Sequence, residues 1–454
     1  MRRDEPCLRT RQSDRGVVLL CTACPGLSYR SSYGEDSTPN ARGEIDPASH
    51  PVSRAGGGRS RGGRLHTPNV RMAVFGGETD AFSELPVRSC GGAKGWAVWN
   101  MLGAMASESV AAVDLFCGAG GLSCGLQQAG IKVVAGVDVD PSCRWPFERN
   151  IGARFVHESV REVTGSDLDG LWGSDGSHRL LAGCAPCQPF SSQRRGADSK
   201  SHEAWDLLLE FGRLVAESRP DFVTMENVVP LKSAPVFGQF LGGLAHLGYF
   251  IDFKAVRGVD HGLPQTRRRL VLIASLDGFV PIPDRTVPEG RVSTVRDAIA
   301  GLPPLAAGQT DPDDPLHCAR SLTPINLRRR AASRPGGTWR DWPEELRAAC
   351  HRRATGSSFQ SFYGVMEWDA PSPTITTQYH NYGSGRFGHP EQMRTITPRE
   401  AALLQGFPPD YQFLPPGEPV RFTTLGKMIG NAVPPAFGAL VGRAILDAAA
   451  CPAH

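Results

Sequence analysis

The feature that most constrains the fold is a strand, a glycine turn, a helix and a second strand in direct succession. An apolar run at 111–116 leads into Gly118-Ala119-Gly120-Gly121, an amphipathic stretch follows, and a second apolar run at 132–137 ends in Asp138. This order predicts a βαβ unit, and its continuation to about residue 276 predicts a doubly wound α/β core. The glycines let a nucleotide-like ligand approach the backbone at the amino end of the helix, and Asp138 stands about 20 residues further on, where a ribose-binding acid is expected. Alone, the pattern suits NAD, FAD or S-adenosylmethionine.

A second constraint is the segment Gly-Cys-Ala-Pro-Cys-Gln-Pro-Phe-Ser-Ser at residues 183–192, which follows an apolar run. Pro186 and Pro189 disfavour helical backbone in the residues before them, so we expect Cys187 on an extended, stiff segment at the end of a strand. A thiolate placed there faces a cleft and can attack an electrophilic carbon. A buried structural cysteine is the alternative, and the neighbouring motifs separate the two.

Six short motifs extend in order over roughly residues 110–447. They are Asp-Leu-Phe-Cys-Gly-Ala-Gly-Gly (114–121), Pro-Cys-Gln (186–188), Glu-Asn-Val (226–228), Gln-Thr-Arg-Arg-Arg (265–269), a run beginning Arg-Thr-Ile-Thr-Pro-Arg-Glu (394–408) and Gly-Asn-Ala-Val-Pro-Pro (430–435). In this order they resemble the DNA (cytosine-5) methyltransferase family, of the bacterial restriction-modification type. The resemblance implies a Rossmann-like methyltransferase core that uses S-adenosylmethionine, with a smaller, loop-rich target-recognition domain. The substrate it implies is double-stranded DNA, methylated at C5 of a cytosine.

The resemblance assigns catalytic roles to Cys187, Glu226, Arg267 and Arg269. Attack of the Cys187 thiolate on C6 makes C5 enamine-like, and Glu226, which follows an apolar strand, holds an acidic group at N3 where charge develops. Arg267 and Arg269 alternate on one strand face, so both are expected to point into the site, on the base carbonyl and a phosphate. The base must leave the duplex, which costs about a few kcal/mol.

The resemblance also implies a pocket for S-adenosylmethionine. Phe116 is expected against the adenine, the glycine turn beside the methionine end, and Asp138 at the ribose hydroxyls. The family usually has Glu at this last position and often an aromatic residue after it, where this chain has Asp138 and Val139. In the third motif, either Ser159 accepts the adenine amino group or Glu158 substitutes for it. The expected cofactor-binding residues are Phe116, Gly118, Ala119, Gly120, Gly121, Asp138, Val139, Ser159, Pro186, Asn431 and Val433.

Residues 277–392 occupy the position of the family's variable target-recognition region. Their prolines, scattered arginines and interleaved tryptophans suit phosphate contact and base reading. Thr374-Ile375 resembles the Thr-aliphatic step of the family's recognition loops, and the loop 188–196, with Gln193, is expected to fold over the DNA. Two alternatives stay open: a transfer-RNA cytosine-5 methyltransferase of the same fold, and a catalytically silent DNA-binding regulator.

The 454 residues divide by composition into four parts. Residues 1–104 are rich in Arg, Gly, Ser and Pro without periodicity, which predicts a disordered basic leader or a chain that really starts at Met105. A catalytic and cofactor-binding core is expected at 109–276, the target-recognition region at 277–392, and C-terminal motifs that return to the core at 393–450.

Charge and cysteine content fit this interpretation. The net charge of +3 is compatible with nucleic acid, and twelve cysteines with no secretory signal and no apolar run of membrane-spanning length indicate a reducing cytosol. Neither Cys-x-x-Cys pair (Cys21/Cys24, Cys184/Cys187) has a second pair at zinc-finger spacing, so we expect no metal. The resulting expectation is a cytoplasmic, nucleoid-associated monomer, with a separately acting restriction endonuclease as a candidate partner.

Overall fold

The structure of the protein, a computed structural model, describes residues 9–13, 16–20, 109–174, 176–186, 199–353 and 360–450. Contacts divide the chain into two compact units, Met1–Ser89 and Cys90–His454. In the first unit, strands β1 (Arg9–Ser13) and β2 (Gly16–Leu20) pair antiparallel. Composition did not predict this pair, although the run Val-Val-Leu-Leu in β2 has high β-propensity. The remainder of the leader, with Met105, lies outside the described residues.

A seven-stranded sheet forms the centre of the second unit, in the order β5-β4-β3-β6-β7-β9-β8. Its strands are β3 (Val110–Leu115), β4 (Lys132–Asp138), β5 (Arg154–His157), β6 (His178–Gly183), β7 (Phe222–Asn227), β8 (Phe250–Arg257) and β9 (Arg268–Ser275). Strands β3 to β7 are parallel, and β9 runs antiparallel to both of its neighbours. The doubly wound α/β core is confirmed.

Every residue of the central strand β3 is buried, so both faces of the sheet are covered at its centre. Val110 and Ala112 face one hydrophobic core, whereas Ala111, Val113 and Leu115 face the other. The helices are α1 (Gly121–Ala129), α2 (Arg144–Ile151), α3 (Gly165–Trp172), α4 (Ser199–Ser218), α5 (Pro235–His246), α6 (Val295–Ile299), α7 (Pro324–Ala331), α8 (Ala349–Arg352), α9 (Pro398–Leu404), α10 (Phe422–Gly430) and α11 (Pro435–Ala449).

Helices α1 and α11 pack unusually closely, and glycines make this possible. A Cβ atom on Gly125 would lie 2.0 Å from the carbonyl oxygen of Pro435, and one on Gly438 would lie 2.4 Å from that of Leu122. Helices α9, α10 and α11 contribute Leu404, Ile429 and Phe437 to the core that α1 and α2 also share. The C-terminal segment therefore packs on the same sheet face as the glycine turn.

One apolar stretch bears on the expectation that no apolar run has membrane-spanning length. Phe422–Ala449, which contains α10 and α11, is long and apolar enough to pass a test for a membrane span. However, 67% of its most apolar window is buried inside the protein. A core helix passes the same test, so the stretch is weak evidence for a membrane.

Residues 277–392 contain little regular structure, but they carry a small core of their own. It consists of Trp339, Trp342, Leu346 and Tyr382. The Arg329 guanidinium lies over the rings of Trp342 and Tyr363, and Arg330 is buried, where it donates to the carbonyls of His389 and Gln392. Some of the arginines in this region therefore hold its fold together and are not available to a ligand.

Candidate active site

A cavity of about 350 Å³ opens at the carboxyl ends of β3, β4, β6 and β7. The neighbouring strands β3 and β6 are the point at which the strand order reverses, where open α/β sheets bind their ligands. The volume lies in the range of small-molecule sites. Of the expected site residues, those that line the cavity are Phe116, Gly118, Ala119, Asp138, Val139, Ser159, Pro186, Glu226, Arg267, Arg269, Asn431 and Val433.

The glycine turn contains backbone conformations that favour glycine. Gly118 and Gly120 have φ angles of 52° and 90°, and Phe116 has a φ of 58°, which is rare for a bulky residue and typical of a functional constraint. Gly121 begins α1, and a Cβ there would lie 2.3 Å from the Val433 carbonyl oxygen. The backbone of the C-terminal motif thus takes the space that a side chain would need.

Asp138 ends β4 and orders this turn. Its Oδ2 accepts a hydrogen bond from the Gly118 N–H at 2.9 Å, and its Oδ1 accepts one from the Asp140 N–H at 2.8 Å. Burial raises the pKa of Asp138, and these two hydrogen bonds oppose the shift. Each oxygen keeps a second lone pair, so the carboxylate can accept hydroxyl donors from the cavity.

The adenine end of the expected pocket differs from what the family usually has. Val139 is 62% exposed at the cavity rim, and its carbonyl oxygen lies 3.0 Å from Nε2 of His157. Glu158 accepts from the Ser159 backbone N–H at 3.1 Å, and the Ser159 hydroxyl accepts from the Arg161 N–H at 3.3 Å. Both Ser159 and Glu158 line the cavity, so the structure leaves both candidates in place.

The sequence reasoning missed Asp114 as a cavity residue. Its side chain is 1% exposed, and its Oδ2 accepts a hydrogen bond from the Ser123 hydroxyl at 2.6 Å. Burial raises the pKa of Asp114 to about 7. Burial likewise raises the pKa of the Cys117 and Cys143 thiols, so both favour the unreactive thiol form.

Glu226 lies in β7 beside the same cavity and is 5% exposed. The Arg269 Nε lies 3.1 Å from Oε1 of Glu226 as an ion pair, without the alignment of a good hydrogen bond. The Cys184 thiol donates to Oε2 at 3.2 Å. Asn227 donates from its amide to the Ala185 carbonyl at 3.0 Å, which fixes the segment that leads to Cys187. Cys187 itself and Gln193 lie outside the described residues.

Arg267 and Arg269 both line the cavity but contact different partners. Strand β9 begins at Arg268, which is exposed, and Arg269 reaches Glu226. Arg267 is 2% exposed and donates to the carbonyls of Ile375 at 3.1 Å and Ala432 at 3.2 Å. Its guanidinium therefore joins chain segments that are distant in sequence, a role that strand alternation alone did not predict.

Two glutamines extend this connection. Gln265 is fully buried; it accepts from the Ile375 N–H at 3.1 Å and donates to Oε1 of Gln405 at 2.8 Å. Gln405 in turn donates to the Ala432 carbonyl at 2.8 Å. We call Gln265, Arg267 and Gln405 the glutamine–arginine bridge.

The two recognition candidates that the structure describes lie at this bridge. Ile375 is 0% exposed, with both its N–H and its carbonyl bound to the bridge, and Thr374 beside it is half-buried. In this conformation the Ile375 side chain faces the protein core and not a ligand.

A group of potential metal ligands lies elsewhere. His178, Asp221 and Asp277 each place a ligand atom within 4.8 Å of the others. His178 begins β6, so the group lies at the opposite end of the strands from the cavity. Nδ1 of His178 and Oδ2 of Asp221 are 3.8 Å apart.

Comparisons with known proteins agree with this geometry. A family model for C-5 cytosine-specific DNA methylase matches residues 110–447. Type II methylase M.HgiDII of Herpetosiphon aurantiacus is 47% identical over 338 residues, which are 74% of this chain and 94% of that protein. Type II methyltransferase M1.HphI of Haemophilus parahaemolyticus is 31% identical over 355 residues, which cover 74% and 87% of the two chains.

Solved structures add evidence on the fold. A protein described as a DNA modification methyltransferase encoded within an E. coli prophage has a TM-score of 0.58 at 24% identity, over 75% of this chain and 99% of that one. Entamoeba histolytica methyltransferase EhMeth has a TM-score of 0.52 at 15% identity, over 75% and 98%. Since the family model matches over the same residues that build the sheet and the cavity, the chain belongs to the C-5 cytosine-specific DNA methylase family.

Proposed function

We propose that this DNA cytosine-5 methyltransferase works through a covalent bond between Cys187 and C6 of a flipped-out cytosine, with Glu226 at N3 of the base. The family uses S-adenosylmethionine, which supplies the methyl group for C5. The observation that carries the proposal is the position of Glu226. Its carboxyl group, ion-paired with Arg269, lies in the same cavity as the glycine turn and Asp138.

The cavity offers groups suited to S-adenosylmethionine. Asp138 has lone pairs for the ribose hydroxyls, and Phe116 lines the cavity beside the glycine turn. Tyr411 donates its hydroxyl to the Ala119 carbonyl and so supports the turn from the C-terminal segment. We assign Asn431 and Val433 to the closure of the pocket, because both line it between α10 and α11.

The proposed chemistry is divided between Cys187 and Glu226. Attack by the Cys187 thiolate on C6 drives electron density toward N3, and the acidic group of Glu226 stabilises that density. After methylation, a base takes the C5 proton, the electrons of the C5–H bond form the C5–C6 double bond, and Cys187 leaves as a thiolate, which restores the aromatic ring. Arg269 holds Glu226, and Arg267, which also lines the cavity, supports the site through the glutamine–arginine bridge.

Residues 277–392 are assigned to recognition of the DNA, with phosphate contacts from exposed arginines and base contacts from loops. Gln193 and Thr374 remain candidates for recognition. The protein is proposed to act as a cytoplasmic, nucleoid-associated monomer, next to a restriction endonuclease that works separately.

Covalent trapping tests the mechanism. With duplex DNA that carries 5-fluorocytosine at the target, the native protein should form an adduct that survives denaturation, because fluorine cannot leave as the C5 proton does. Cys187→Ala should form none while it still binds S-adenosylmethionine. Glu226→Gln should retain a slow reaction, since general acid–base help is worth about 100- to 10,000-fold. An adduct in the alanine variant would mean that another residue attacks C6.

A methylation assay with S-adenosylmethionine tests the choice of substrate. The native protein should methylate duplex DNA and not transfer RNA, which separates it from the transfer-RNA alternative. If neither duplex DNA nor transfer RNA is methylated, the result favours the catalytically silent regulator.

A further inference from the structure

Cys184 contacts the carboxyl group of Glu226 from the neighbouring strand. Strands β6 and β7 are parallel, with Gly183 opposite Met225, so the residues that follow each of these, Cys184 and Glu226, lie side by side at the cavity. The thiol sulfur is 3.2 Å from Oε2 of Glu226. Both side chains line the cavity.

The two oxygens of Glu226 have unequal partners. Oε1 is buried and lies 3.1 Å from the Arg269 Nε, a charged group that is always protonated. Oε2 is held by a thiol, which is a weak donor. The incoming base can therefore replace the partner of Oε2 at little cost, whereas replacing the partner of Oε1 would separate a buried ion pair.

We propose that Cys184 is a positioning residue for methyl transfer: its thiol holds Oε2 of Glu226 toward the cavity and gives way when the cytosine enters. This inference rests on the proposed role of Glu226 at the base. A weak donor suits the task, because it orients the carboxyl group without competing strongly against the base. Cys184 touches neither base nor cofactor in this scheme and acts only through Glu226.

A matched pair of substitutions separates hydrogen bonding from packing. Cys184→Ser keeps a donor in a smaller side chain, and Cys184→Val keeps the bulk but has no donor. We expect the serine variant to retain most of the single-turnover methylation rate and the valine variant to lose about two- to tenfold, the value of one hydrogen bond. The affinity for the DNA duplex should be unchanged in both, because phosphate contacts dominate it. The opposite order, with valine active and serine slow, would show a packing role and overturn the proposal.

A double-mutant cycle tests whether Cys184 acts through Glu226. In Glu226→Gln, the amide oxygen should turn toward Arg269, because arginine can only donate hydrogen bonds. The amide NH₂ group then faces the Cys184 thiol, and it cannot accept a hydrogen bond from that thiol. Cys184→Val should therefore cost less than twofold in the Glu226→Gln background. An equal loss in both backgrounds would mean that position 184 acts on another part of the site, and the proposal would be wrong.

The cycle also separates this inference from the function it rests on. If Glu226→Gln alone is as fast as the native protein, the role proposed for Glu226 fails, whatever happens at position 184. If the valine variant does not fold, as thermal melting and S-adenosylmethionine binding would show, Cys184→Ala takes its place, since it removes the donor and adds no bulk. Serine rescue relative to alanine is then the expected result, and equal rates for the two would overturn the proposal.

Discussion

Gly125→Ala should weaken both the fold and the cofactor pocket. The added Cβ would lie 2.0 Å from the Pro435 carbonyl oxygen and 2.7 Å from the Ala439 nitrogen, and real Cβ atoms essentially never come within 3.0 Å of such atoms. All the nearest atoms are backbone, so no side-chain rotation relieves the contact, and α1 and α11 must separate by about 1 Å (3.0 minus 2.0). Overpacking of this kind costs about 1–3 kcal/mol or more, against a gain of up to about 1 kcal/mol from replacing glycine inside a helix.

The matched control is Gly170→Ala in α3, where a Cβ would meet nothing within 4 Å. This variant should gain about 0.5–1 kcal/mol from helix propensity alone. Urea denaturation of the three proteins measures the free energies of unfolding, and calorimetric titration with S-adenosylmethionine measures the pocket. Because α11 follows the cavity residue Val433, Gly125→Ala should also bind the cofactor more weakly. A Gly125→Ala protein with native stability and native cofactor affinity would refute the reasoning.

Three further predictions concern the cofactor site and the leader. Asp138→Asn replaces one acceptor of the two backbone hydrogen bonds with a donor, so titration calorimetry should show a roughly 10- to 100-fold loss of S-adenosylmethionine affinity, and a change below twofold would contradict this. Asp114 has a folded-state pKa of about 7 against an ordinary 3.8, so between these pH values the native protein retains a proton that the unfolded chain releases. The stability that comes from binding this proton in the folded state is therefore lost as pH rises from about 4 to about 7. Asp114→Asn lacks this proton, so its free energy of unfolding relative to the native protein should rise by a few kcal/mol across that window in urea titrations, and parallel pH curves would count against it. A chain that starts at Met105 should methylate duplex DNA as efficiently as the full chain, whereas a large loss at physiological salt would favour a basic arm.

Local pattern was sufficient to predict the architecture around the cavity. The run 111–116, the glycines and Asp138 predict a strand, a turn and a ribose-side acid within 28 residues, and the structure joins them by the hydrogen bond from Gly118 to Asp138. Spacing predicts such contacts well because their partners are near in sequence. Glu226 was expected just after an apolar strand, and the structure has it within β7, beside the cavity.

Contacts between distant segments could not be predicted in this way. Arg267 contacts residues 108 and 165 positions away, so alternation along its own strand gave no information about its partners. The contact between Cys184 and Glu226 depends on which strands are neighbours and in what register, which local periodicity does not specify. Ile375 looked like a recognition residue from its motif, yet the fold uses its backbone to bind the bridge.

The glutamine–arginine bridge has a consequence for how specificity can be exchanged among relatives. A crossover that replaces all of 277–392 would exchange Ile375, whose backbone N–H and carbonyl bind Gln265 and Arg267. Arg267 and Gln405 also bind the Ala432 carbonyl at the cavity, so the incoming backbone must reproduce these contacts for the bridge to stay intact. Residues 368 and 370 are likewise tied to α6 by backbone hydrogen bonds from Arg296 and Val295. On the proposed assignment of residues 277–392 to DNA recognition, an exchange should therefore leave the stretch from Trp368 to Ile375 with the catalytic half of the molecule. It should also keep the small core and Arg330 together with their partners, because Tyr382, His389 and Gln392 lie beyond that stretch.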